Sequence, residues 1–483
     1  MSCFYKILLW MKKRNTLIFL ALITAFGLFL RIYRLDYPCL WYDELCTFYR
    51  VNGDMAHTFN TLKVSPFPPL YYILMNVWCG IFGFSEFSLR FPSLLFSTLS
   101  ITFIYFLAKS MFSEREGLIA ALLLSVSSYS INYSQEAKMY AMMWFFCILS
   151  FLYFFLYTNT QDRKYLVPYG IFSPITIYTM YLGFLFLLIQ NILVLCLYRK
   201  KIKTWFTVKV LVLLCYIPWW HFAIYNMTHR SGIEWIKSVD YLEFFQKFFK
   251  YVSGIMIGDS VPLEVSMQIA LSVIAFIFSI YLIIKKKQDN HMKNYLAVFV
   301  WPAVSILLFI AIDKYFTNIL IHRYLGFIHI PVVIIFAVGI TAFDHLRLRW
   351  AGNLILLCMV VSALYFHVLP FHKYGLKINR EPWAERVYDL CEAADEKSLV
   401  FTDQGDRALE YYGKCYKGDI VVIPWWQNVE EFIRGNGFEE KKYRSIFILY
   451  RSKHIINSDW VRKHQVYDKR RAHGGLIQIA YYQ

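Results

Sequence analysis

The sequence predicts a polytopic α-helical membrane protein that ends in a small soluble α/β domain. Of its 483 residues, 58% are hydrophobic and the mean hydropathy is +0.42, whereas a soluble domain is roughly 45–50% apolar. Apolar runs of roughly 17–22 residues, long enough to cross a bilayer core as a helix, recur along most of the chain. After Pro370 the apolar runs shorten and charged residues become more frequent.

We expect about eleven membrane-spanning helices from this length rule. The first run is kept as an uncleaved span, because Phe29–Arg34 follows it in place of a small-residue cleavage site. The runs are Thr16–Ile32, Pro92–Ala108, Gly117–Asn132, Met139–Tyr157, Tyr165–Met180, Leu182–Tyr198, Phe206–Tyr225, Val265–Ile284, Tyr295–Ile312, Tyr324–Phe343 and Leu354–Leu369.

Clusters of Lys and Arg fall on alternate connections between these runs, which predicts a cytoplasmic N-terminus in a multi-pass protein of the inner, cytoplasmic membrane. An odd number of spans then places the C-terminal tail outside, together with residues 33–91, 133–138, 226–264 and 313–323. The net charge of +17 suits contact with anionic membrane lipids, and it gives no specific indication of nucleic acid, which we exclude as a partner.

The tail alternates short helical and short extended segments, which is typical of a βαβ layer. No Gly-rich phosphate loop occurs in it. We therefore divide the chain into a membrane domain, residues 1–369, which carries the function, and an exterior domain, residues 370–483. The tail pattern predicts helices at Trp383–Cys391, Ala408–Tyr412 and Val429–Ile433, and strands at Leu399–Thr402, Ile420–Ile423 and Ile446–Tyr450.

Ten cysteines are spread along the chain without metal-ligand spacing, so no metal site is predicted from them. Cys39 and Cys46 lie on the predicted outer face, and so do Cys391 and Cys415. Either pair could form a disulfide in an oxidising compartment.

Asp43 and Glu44 form an acidic pair just beyond the first apolar run, between aromatic side chains in Leu40-Trp41-Tyr42-Asp43-Glu44. Charge near lipid is costly and persists where it pairs, binds a ligand or does chemistry, so this pair is the leading candidate site. The alternative is the capping of a short interfacial helix, because Asp is a favoured N-cap. The spacing alone supports both interpretations equally.

Three further segments of the predicted outer face carry candidate residues. Ser65–Tyr72 contains three prolines before a Tyr pair, and a proline-set turn is its simplest explanation. Tyr133–Tyr140 brings Glu136 and Lys138 to the membrane surface, with a Ser-capped helix start as the alternative. Ile321–Leu325 places Arg323 at the outer end of a span, where a single Arg is more often a snorkelling anchor than a ligand.

Together these motifs resemble the lipid-phosphate-sugar-dependent glycosyltransferases of the GT-C superfamily, in particular the bacterial branch related to protein O-mannosyltransferases, aminoarabinose lipid A transferases and lipopolysaccharide-core sugar transferases. The chain departs from the family's pattern at Phe67, where His is usual, and at Lys138, where Arg is usual. The first departure weakens any metal or substrate role there, and the second keeps the charge but loses the bidentate fork. The motifs are Arg31 with Leu40–Glu44, Pro68–Tyr72, Phe82–Gly83 with Glu86–Ser93, Tyr133–Tyr140, and more weakly Tyr216–Trp220 and Arg323–Leu325.

The resemblance implies a polyprenyl-phosphate sugar as donor and a lipid, glycan or protein of the cell envelope as acceptor. Asp43 would take the acceptor's proton, and the reaction would invert the anomeric carbon. Lys138 and Arg323 are the available cations for the donor phosphate. Glu136 would hold the acceptor or orient Asp43, and Glu44 would act in catalysis or only pair with a cation. Substrate-facing roles would fall to Trp41, Pro69, Tyr71, Tyr72, Tyr140 and Tyr324.

Two other functional classes compete with a glycosyltransferase. A transporter or flippase of lipid-linked sugars should show charged or helix-breaking residues near the middle of its spans, and the predicted spans are nearly free of charge at their centres. A scaffold protein would leave the acidic pair without a role. No cofactor is certain, and a divalent metal is left open.

Overall fold

A computed structural model describes residues 3–480 of the chain apart from 38, 64, 200–201, 230–239, 243–262, 286–291, 317, 369–382, 425–426, 437–442, 452–455, 457–460, 462–464 and 472–473. The chain divides into two compact units. The first comprises Met1–Leu35, Gly53–Gly83 and Phe87–Ile378. The second comprises Asp36–Asn52, Phe84–Glu86 and Asn379–Gln483.

The secondary-structure elements described in the first unit are all helices. Its described α-helices are α1 (Cys3–Ile32), α3 (Met55–Lys63), α4 (Leu70–Phe82), α5 (Glu86–Met111), α6 (Glu114–Val126), α7 (Ser128–Ser134), α8 (Tyr140–Thr160), α9 (Leu166–Thr179), α10 (Gly183–Leu197), α11 (Ile202–Leu214), α12 (Ile217–His229), α13 (Leu263–Lys285), α14 (Met292–Tyr315), α15 (Gly326–His345) and α16 (Arg349–Val368). Helix α2 and the first residue of α5, Glu86, belong to the second unit.

Five of the described helices are long and apolar enough to cross a membrane. They lie in α1, α5, α8, α14 and α15, and a sixth span results if α11 and α12, which meet at a bend of 70°, are counted as one. Shorter apolar helices include α4, α10 and parts of α13 and α16. The chain is therefore a largely helical, multi-pass membrane protein, while the number of about eleven spans stays a prediction.

The predicted run Gly117–Asn132 is not one continuous helix. It breaks at Ser127, whose backbone is extended and whose hydroxyl accepts a hydrogen bond from the Ser130 amide, so that Ser127 caps α7. A hydroxyl that can satisfy the free amides of a new helix favours such a break. A hydropathy average over Gly117–Asn132 does not register the break, because Ser125, Ser127, Ser128 and Ser130 are interspersed with apolar residues.

Arg31, near the end of α1, is fully buried and forms hydrogen bonds with residues on both sides of this break. It donates hydrogen bonds to the Ser97 and Ser130 hydroxyls at 2.8 and 2.9 Å. It also donates to the carbonyl oxygens of Leu124 and Ser125 at 3.1 and 2.9 Å. These carbonyls lie at the C-terminal end of α6, where the helix carries partial negative charge. One guanidinium thus ties α1 to α5, α6 and α7.

The second unit contains α2 (Tyr42–Val51) and a five-stranded sheet with three further helices. The described helices are α17 (Trp383–Ala393), α18 (Asp406–Tyr412) and α19 (Val429–Asn436). The strands are β1 (Ser398–Thr402), β2 (Asp419–Val422), β3 (Ser445–Tyr450), β4 (Gln465–Arg471) and β5 (Gly474–Ala480). The sheet order is β2-β1-β3-β5-β4, with β1 parallel to both its neighbours and β5 antiparallel to both of its own.

The six segments expected from the tail pattern occur with bounds shifted by three residues or fewer. The hairpin of β4 and β5 was not expected. The sheet packs its core from alternate positions of β1 and β3, where Leu399, Phe401, Ile446 and Ile448 are fully buried. Cys391 and Cys415 form a disulfide with a Cα–Cα distance of 5.7 Å, whereas Cys39 and Cys46 are free thiols.

Candidate active site

The acidic pair lies in the first turn of α2, a helix of the second unit. Leu45, Phe48 and Val51 are spaced three residues apart and are buried along one face of this helix. Asp43 is half-buried at its start. The chain enters the helix in an extended conformation at Trp41, which is also half-buried. The carboxylate of Asp43 therefore lies at the partly exposed N-terminus of a short, well-packed helix.

Glu44 differs from Asp43 in both burial and bonding. Its side chain is fully buried, and its carboxylate accepts a hydrogen bond from the Trp41 backbone amide at 3.3 Å. This is the return contact of a capping box, in which the third helical residue satisfies an amide that the helix leaves open. Glu44 is therefore the acid that caps the helix, whereas Asp43 is the acid that remains partly exposed.

The turn between α7 and α8 holds Glu136 and Lys138, which belong to the first unit. The Gln135 amide donates to the carbonyl oxygens of Arg31 and Tyr33, at 2.8 and 2.9 Å. The Lys138 amide donates to the Glu136 carbonyl at 2.7 Å, which makes the turn tight. Both charged side chains are buried, with 6% of Glu136 and 2% of Lys138 exposed. Burial of this degree is rare for Glu and Lys side chains.

The Lys138 side chain lies against the proline segment of the first unit. Its Nζ is 5.4 Å from the centre of the Phe67 ring. Its backbone carbonyl accepts a hydrogen bond from the Ser93 hydroxyl at 2.9 Å, and that hydroxyl is 3.4 Å from the Tyr71 hydroxyl. Within the part of the chain that the structure describes, the ammonium has no hydrogen bond and no carboxylate partner. The motifs around residues 67–72 and 133–140 therefore meet at a buried cation.

Tyr71 and Tyr72 are fully buried at the start of α4, directly after Pro69, which occupies its N-cap position. Their rings pack edge to face at 5.5 Å, and the Tyr72 ring is 6.1 Å from that of Phe67. These contacts show them packing the segment next to Lys138. Their proposed contact with sugar or prenyl chain stays a prediction.

Arg323 and Tyr324 lie in a 3₁₀ turn, His322–Leu325, that leads into α15. The Asp313 carboxylate holds the preceding segment by accepting from the Ile319 and Leu320 amides at 2.7 and 3.0 Å. The Tyr324 ring is buried and lies 6.5 Å from that of Tyr140. This turn thereby reaches the first turn of α8.

An aromatic cluster joins these segments. The Tyr133 ring is 5.5 Å from Tyr140 and 5.3 Å from Trp144. Its hydroxyl is within electrostatic range of both Glu136 and Arg323. Gly326 permits the close approach of α15, since a Cβ there would lie 1.9 Å from the Trp144 ring. The cluster brings Glu136, Arg323, Tyr140 and Tyr324 into one region of the first unit.

One buried side chain near this cluster, His329, was not expected from the sequence. His329 is buried in α15, its Nε2 is 2.8 Å from the Ser127 hydroxyl, and its ring is 5.3 Å from that of Tyr129. In the described residues its Nδ1 and the Trp144 Nε1 have no hydrogen-bond partner. A His within an apolar run is usually a satisfied core residue, so the sequence carried no signal for it.

The candidate residues thus form two groups, each within its own unit. The first unit holds Pro69, Tyr71, Tyr72, Glu136, Lys138, Tyr140, Arg323 and Tyr324, and the second holds Trp41, Asp43 and Glu44. Among the residues that the structure describes, no three His, Cys, Asp or Glu side chains are grouped as metal ligands.

The comparisons with known proteins concern the fold of the chain and the family pattern of part of its sequence. Residues 67–222 match the family model described as dolichyl-phosphate-mannose-protein mannosyltransferase, and among curated proteins none matches the chain. The solved structure of ArnT from Cupriavidus metallidurans in its apo state has a TM-score of 0.65 at 13% identity, covering 96% of this chain and 99% of that one.

Two further similar structures contain lipid phosphates. ArnT from Cupriavidus metallidurans bound to undecaprenyl phosphate has a TM-score of 0.59 at 11% identity and covers 96% of this chain and 99% of that one. The oligosaccharyltransferase AglB from Archaeoglobus fulgidus, in complex with an inhibitory peptide and a dolichol-phosphate, has a TM-score of 0.59 at 14% identity, covering 91% and 70%. At such identities the likeness shows the fold. The resemblance to the GT-C glycosyltransferases is therefore confirmed, in the fold of the chain and in the family pattern of residues 67–222.

Proposed function

We propose that this protein is an inverting glycosyltransferase that moves a sugar from a polyprenyl-phosphate donor to a lipid, glycan or protein of the cell envelope. The observation that carries the proposal is the buried ammonium of Lys138, which has no carboxylate partner among the described residues. A buried charge is costly unless an opposite charge or hydrogen bonds compensate it. A phosphate monoanion or dianion would supply that compensation.

The Phe67 ring supports the assignment of Lys138 to phosphate binding. A ring face stabilises a nearby cation without neutralising its charge, so the ammonium keeps its attraction for an anion. A carboxylate in the same place would compete with the phosphate. The replacement of the family's usual His by Phe67 thus fits an anion site better than a metal site.

Arg323 is the second cation that we assign to the donor phosphate. The leaving group departs as a lipid phosphate, so it needs stabilisation of negative charge and no proton. Fixed cations supply this stabilisation most strongly where water is scarce. Lys138 and Arg323 would therefore favour both donor binding and the breaking of the bond between the anomeric carbon and the phosphate oxygen.

The acceptor hydroxyl has to lose a proton as its oxygen bonds to the anomeric carbon. We assign this proton to Asp43, the half-buried acid of α2, because Glu44 is fully buried and bonded to the Trp41 amide. Attack on the face opposite the departing phosphate inverts the anomeric configuration. Glu136, buried beside the Tyr133 cluster, is assigned to holding the acceptor.

Binding of undecaprenyl phosphate to the purified protein in nanodiscs tests the donor class. The lipids bound in the two similar structures are undecaprenyl phosphate and a dolichol-phosphate, which supports this choice of probe. We expect Lys138→Ala to weaken binding about 10-fold to 100-fold, the range of one charge-assisted hydrogen bond. The exposed Lys164, paired with Asp162 at 2.8 Å, provides the control Lys164→Ala. Equal affinity of wild type and Lys138→Ala would remove the lipid-phosphate donor.

The orientation is part of the proposal, with Asp54 and Asp419 on the outer side of the cytoplasmic membrane. Both residues are exposed. Single cysteines introduced there should therefore react with a membrane-impermeant maleimide in cells whose outer membrane is permeabilised and whose inner membrane is intact. A cysteine at Arg163, on a predicted cytoplasmic connection, should react only after the inner membrane is permeabilised. Labelling of one outer position with protection of the other would contradict the odd number of spans.

A transporter of lipid-linked sugars is the second candidate, and Lys209 is the observation that bears on it. This residue is buried in α11, where ionisable residues often mark transport pathways. Its Nζ donates to the Gln190 side-chain oxygen at 2.9 Å and to the Leu187 carbonyl at 3.3 Å, and it lies 4.8 Å from the Trp205 ring. These partners satisfy it structurally. Flipping of a lipid-linked sugar in vesicles without any sugar transfer would favour the transporter.

A further inference from the structure

The carboxyl edge of the parallel strands in the second unit is arranged like a ligand site. The chain leaves β1 through α18 towards β2 on one side, then returns through α19 to β3 on the other side of β1. In open α/β sheets the crevice at such a reversal binds ligands, because the two following loops diverge there. The residues directly after β1 and β3 are Asp403 and Arg451.

This edge is rigidly built. The buried Asp403 carboxylate accepts a hydrogen bond from the Arg451 amide at 2.9 Å. The Arg451 guanidinium donates to the Gln404 side-chain oxygen at 2.8 Å. Gly405 lies so close to the strands that a Cβ would be 2.6 Å from the Thr402 hydroxyl. Two loops that are bonded to each other in this way hold the Arg451 guanidinium in a fixed direction.

A side chain of α2, that of Tyr42, packs against this edge. The Tyr42 ring centre is 4.4 Å from the Arg451 guanidinium carbon and 5.3 Å from that of Arg407. Arg407 also donates to the Tyr42 hydroxyl at 3.2 Å and contacts the Cys46 sulfur. Its guanidinium lies 5.2 Å from the Tyr49 ring. Tyr42, Cys46 and Tyr49 are four and three residues apart, so they form one stripe of α2 that faces Arg407.

Helix α18 contacts α2 at both ends. The Leu40 amide donates to the Tyr412 hydroxyl at 2.7 Å, just before α2 begins. Phe48 packs edge to face on Tyr411 at 4.9 Å. Contacts near both ends of a helix, together with a facing stripe, fix its axis and its rotation. Asp43 follows Tyr42 directly, so the direction of its carboxylate is set by these contacts.

The Tyr42 hydroxyl stays neutral in this environment. Burial, and then the neighbouring Cys46, raise the pKa of Tyr42 well above its usual value in spite of the two guanidinium groups. Burial lowers the pKa of Arg407, but the neighbouring Cys46, Tyr42 and Asp406 outweigh it, so that the pKa of Arg407 is raised. The contact between these two residues therefore keeps its charge state across the physiological pH range.

We propose that the C-terminal α/β domain is the positioning element of the acidic helix α2, with Arg407, Arg451 and Tyr412 as positioning residues that set the orientation of Asp43. This part of the proposal rests on the proposed function of Asp43 as the base. The docking of α2 onto α18 and onto the sheet edge does not depend on it.

Hydrogen–deuterium exchange of the full-length protein tests the docking without any activity measurement. The double variant Arg407→Met/Arg451→Met keeps a flexible, unbranched side chain at both positions and removes both guanidinium groups. We expect the amides of residues 40–51 to exchange at least about 10-fold faster, while β1 and β3 keep their protection. Arg444→Met, an exposed arginine of the same domain, is the matched control and should exchange like wild type. Unchanged exchange of residues 40–51 in the double variant would overturn the proposal.

Tyr412→Phe is the milder variant in case the double variant fails to fold. It removes the hydroxyl that accepts the Leu40 amide and leaves the ring in place. Faster exchange confined to the start of α2 supports the proposal, and wild-type exchange there contradicts it.

Turnover gives the second readout. Misplacing a catalytic group by about 1 Å can cost about 100-fold in rate, so the double variant should lose about 10-fold to 100-fold in kcat with donor affinity within about twofold of wild type. A variant with Arg451→Lys in place of Arg451→Met should have a higher rate than the double variant, because a cation again lies beside the Tyr42 ring. If kcat is unchanged while α2 exchanges freely, positioning is wrong. If wild type transfers no sugar at all and the exchange result holds, the proposed function fails and the docking of α2 stands.

Discussion

The acidic helix α2 and the turn at Glu136–Lys138 both carry buried side chains, yet they are held by different parts of the chain. The amide at the entrance of α2 bonds to Tyr412, 372 residues away along the chain. The basic turn bonds to groups such as Ser93, 45 residues away, and Arg31, 104 residues away. The entrance of α2 thus contacts a helix of the second unit, whereas the turn contacts neighbouring helices of the first unit. A disturbance of one support should leave the other group in place.

The largest expected effect is a loss of turnover on substitution of Asp43 itself. Asp43→Asn keeps the shape of the side chain but cannot take up the acceptor's proton, so turnover should fall about 10²–10⁴-fold. Undecaprenyl phosphate affinity should stay at the wild-type value, and Asp162→Asn, an exposed acid of the first unit, is the control. Near-wild-type turnover of purified Asp43→Asn would make Glu136 the next candidate for the base.

The disulfide tests the independence of the two supports. Cys391 and Cys415 join α17 to the segment after α18 across 24 residues, and closing a loop of that size contributes about 3 kcal/mol. Replacing both by Ser should lower the free energy of unfolding of the second unit by about that amount and raise hydrogen exchange in residues 40–51. Exchange in α8 should not change. Cys196→Ser, an exposed free thiol, is the control, and equal loosening of α8 would contradict separate support.

The cations should respond in binding and in rate together. Arg323→Ala should weaken undecaprenyl phosphate binding about 10-fold to 100-fold and lower kcat/KM by at least as much, because the phosphate charge is present in the donor and grows as the bond breaks. Lys138→Arg should be tolerated, since it keeps the charge and matches the family's usual residue. A loss of rate in Arg323→Ala at unchanged affinity would remove Arg323 from the donor site.

The smallest effect concerns the second acid of the pair. Glu44→Ala removes the carboxylate that bonds to the Trp41 amide, and loss of a helix cap typically costs about 0.5–2 kcal/mol. We expect a modest drop in the thermal stability of the second unit and turnover within a few fold of wild type. Glu44→Gln, whose amide oxygen can still accept, should be milder. A loss of turnover in Glu44→Gln as large as that in Asp43→Asn would return Glu44 to catalysis.

The sequence determined the membrane class, most helix positions and the α/β pattern of the tail, because hydrophobic runs and their period depend only on local order of residues. It also indicated the segments that meet in the first unit, since the proline segment and the turn at Glu136–Lys138 carry the family's motifs. Local order also predicted β1, β2 and β3. It did not indicate the β4–β5 hairpin, whose pairing depends on contacts across the sheet.

Only the tertiary structure decided how the two acids differ and what surrounds the cation. Asp43 and Glu44 are adjacent in sequence, and their roles separate only because α2 is packed so that one carboxylate turns back to the Trp41 amide and is buried. The break at Ser127, the Phe67 ring beside Lys138 and the two guanidinium groups at Tyr42 likewise depend on residues far apart in the chain. Such contacts follow from three-dimensional packing, and the sequence pattern of either partner alone contains no information on the other.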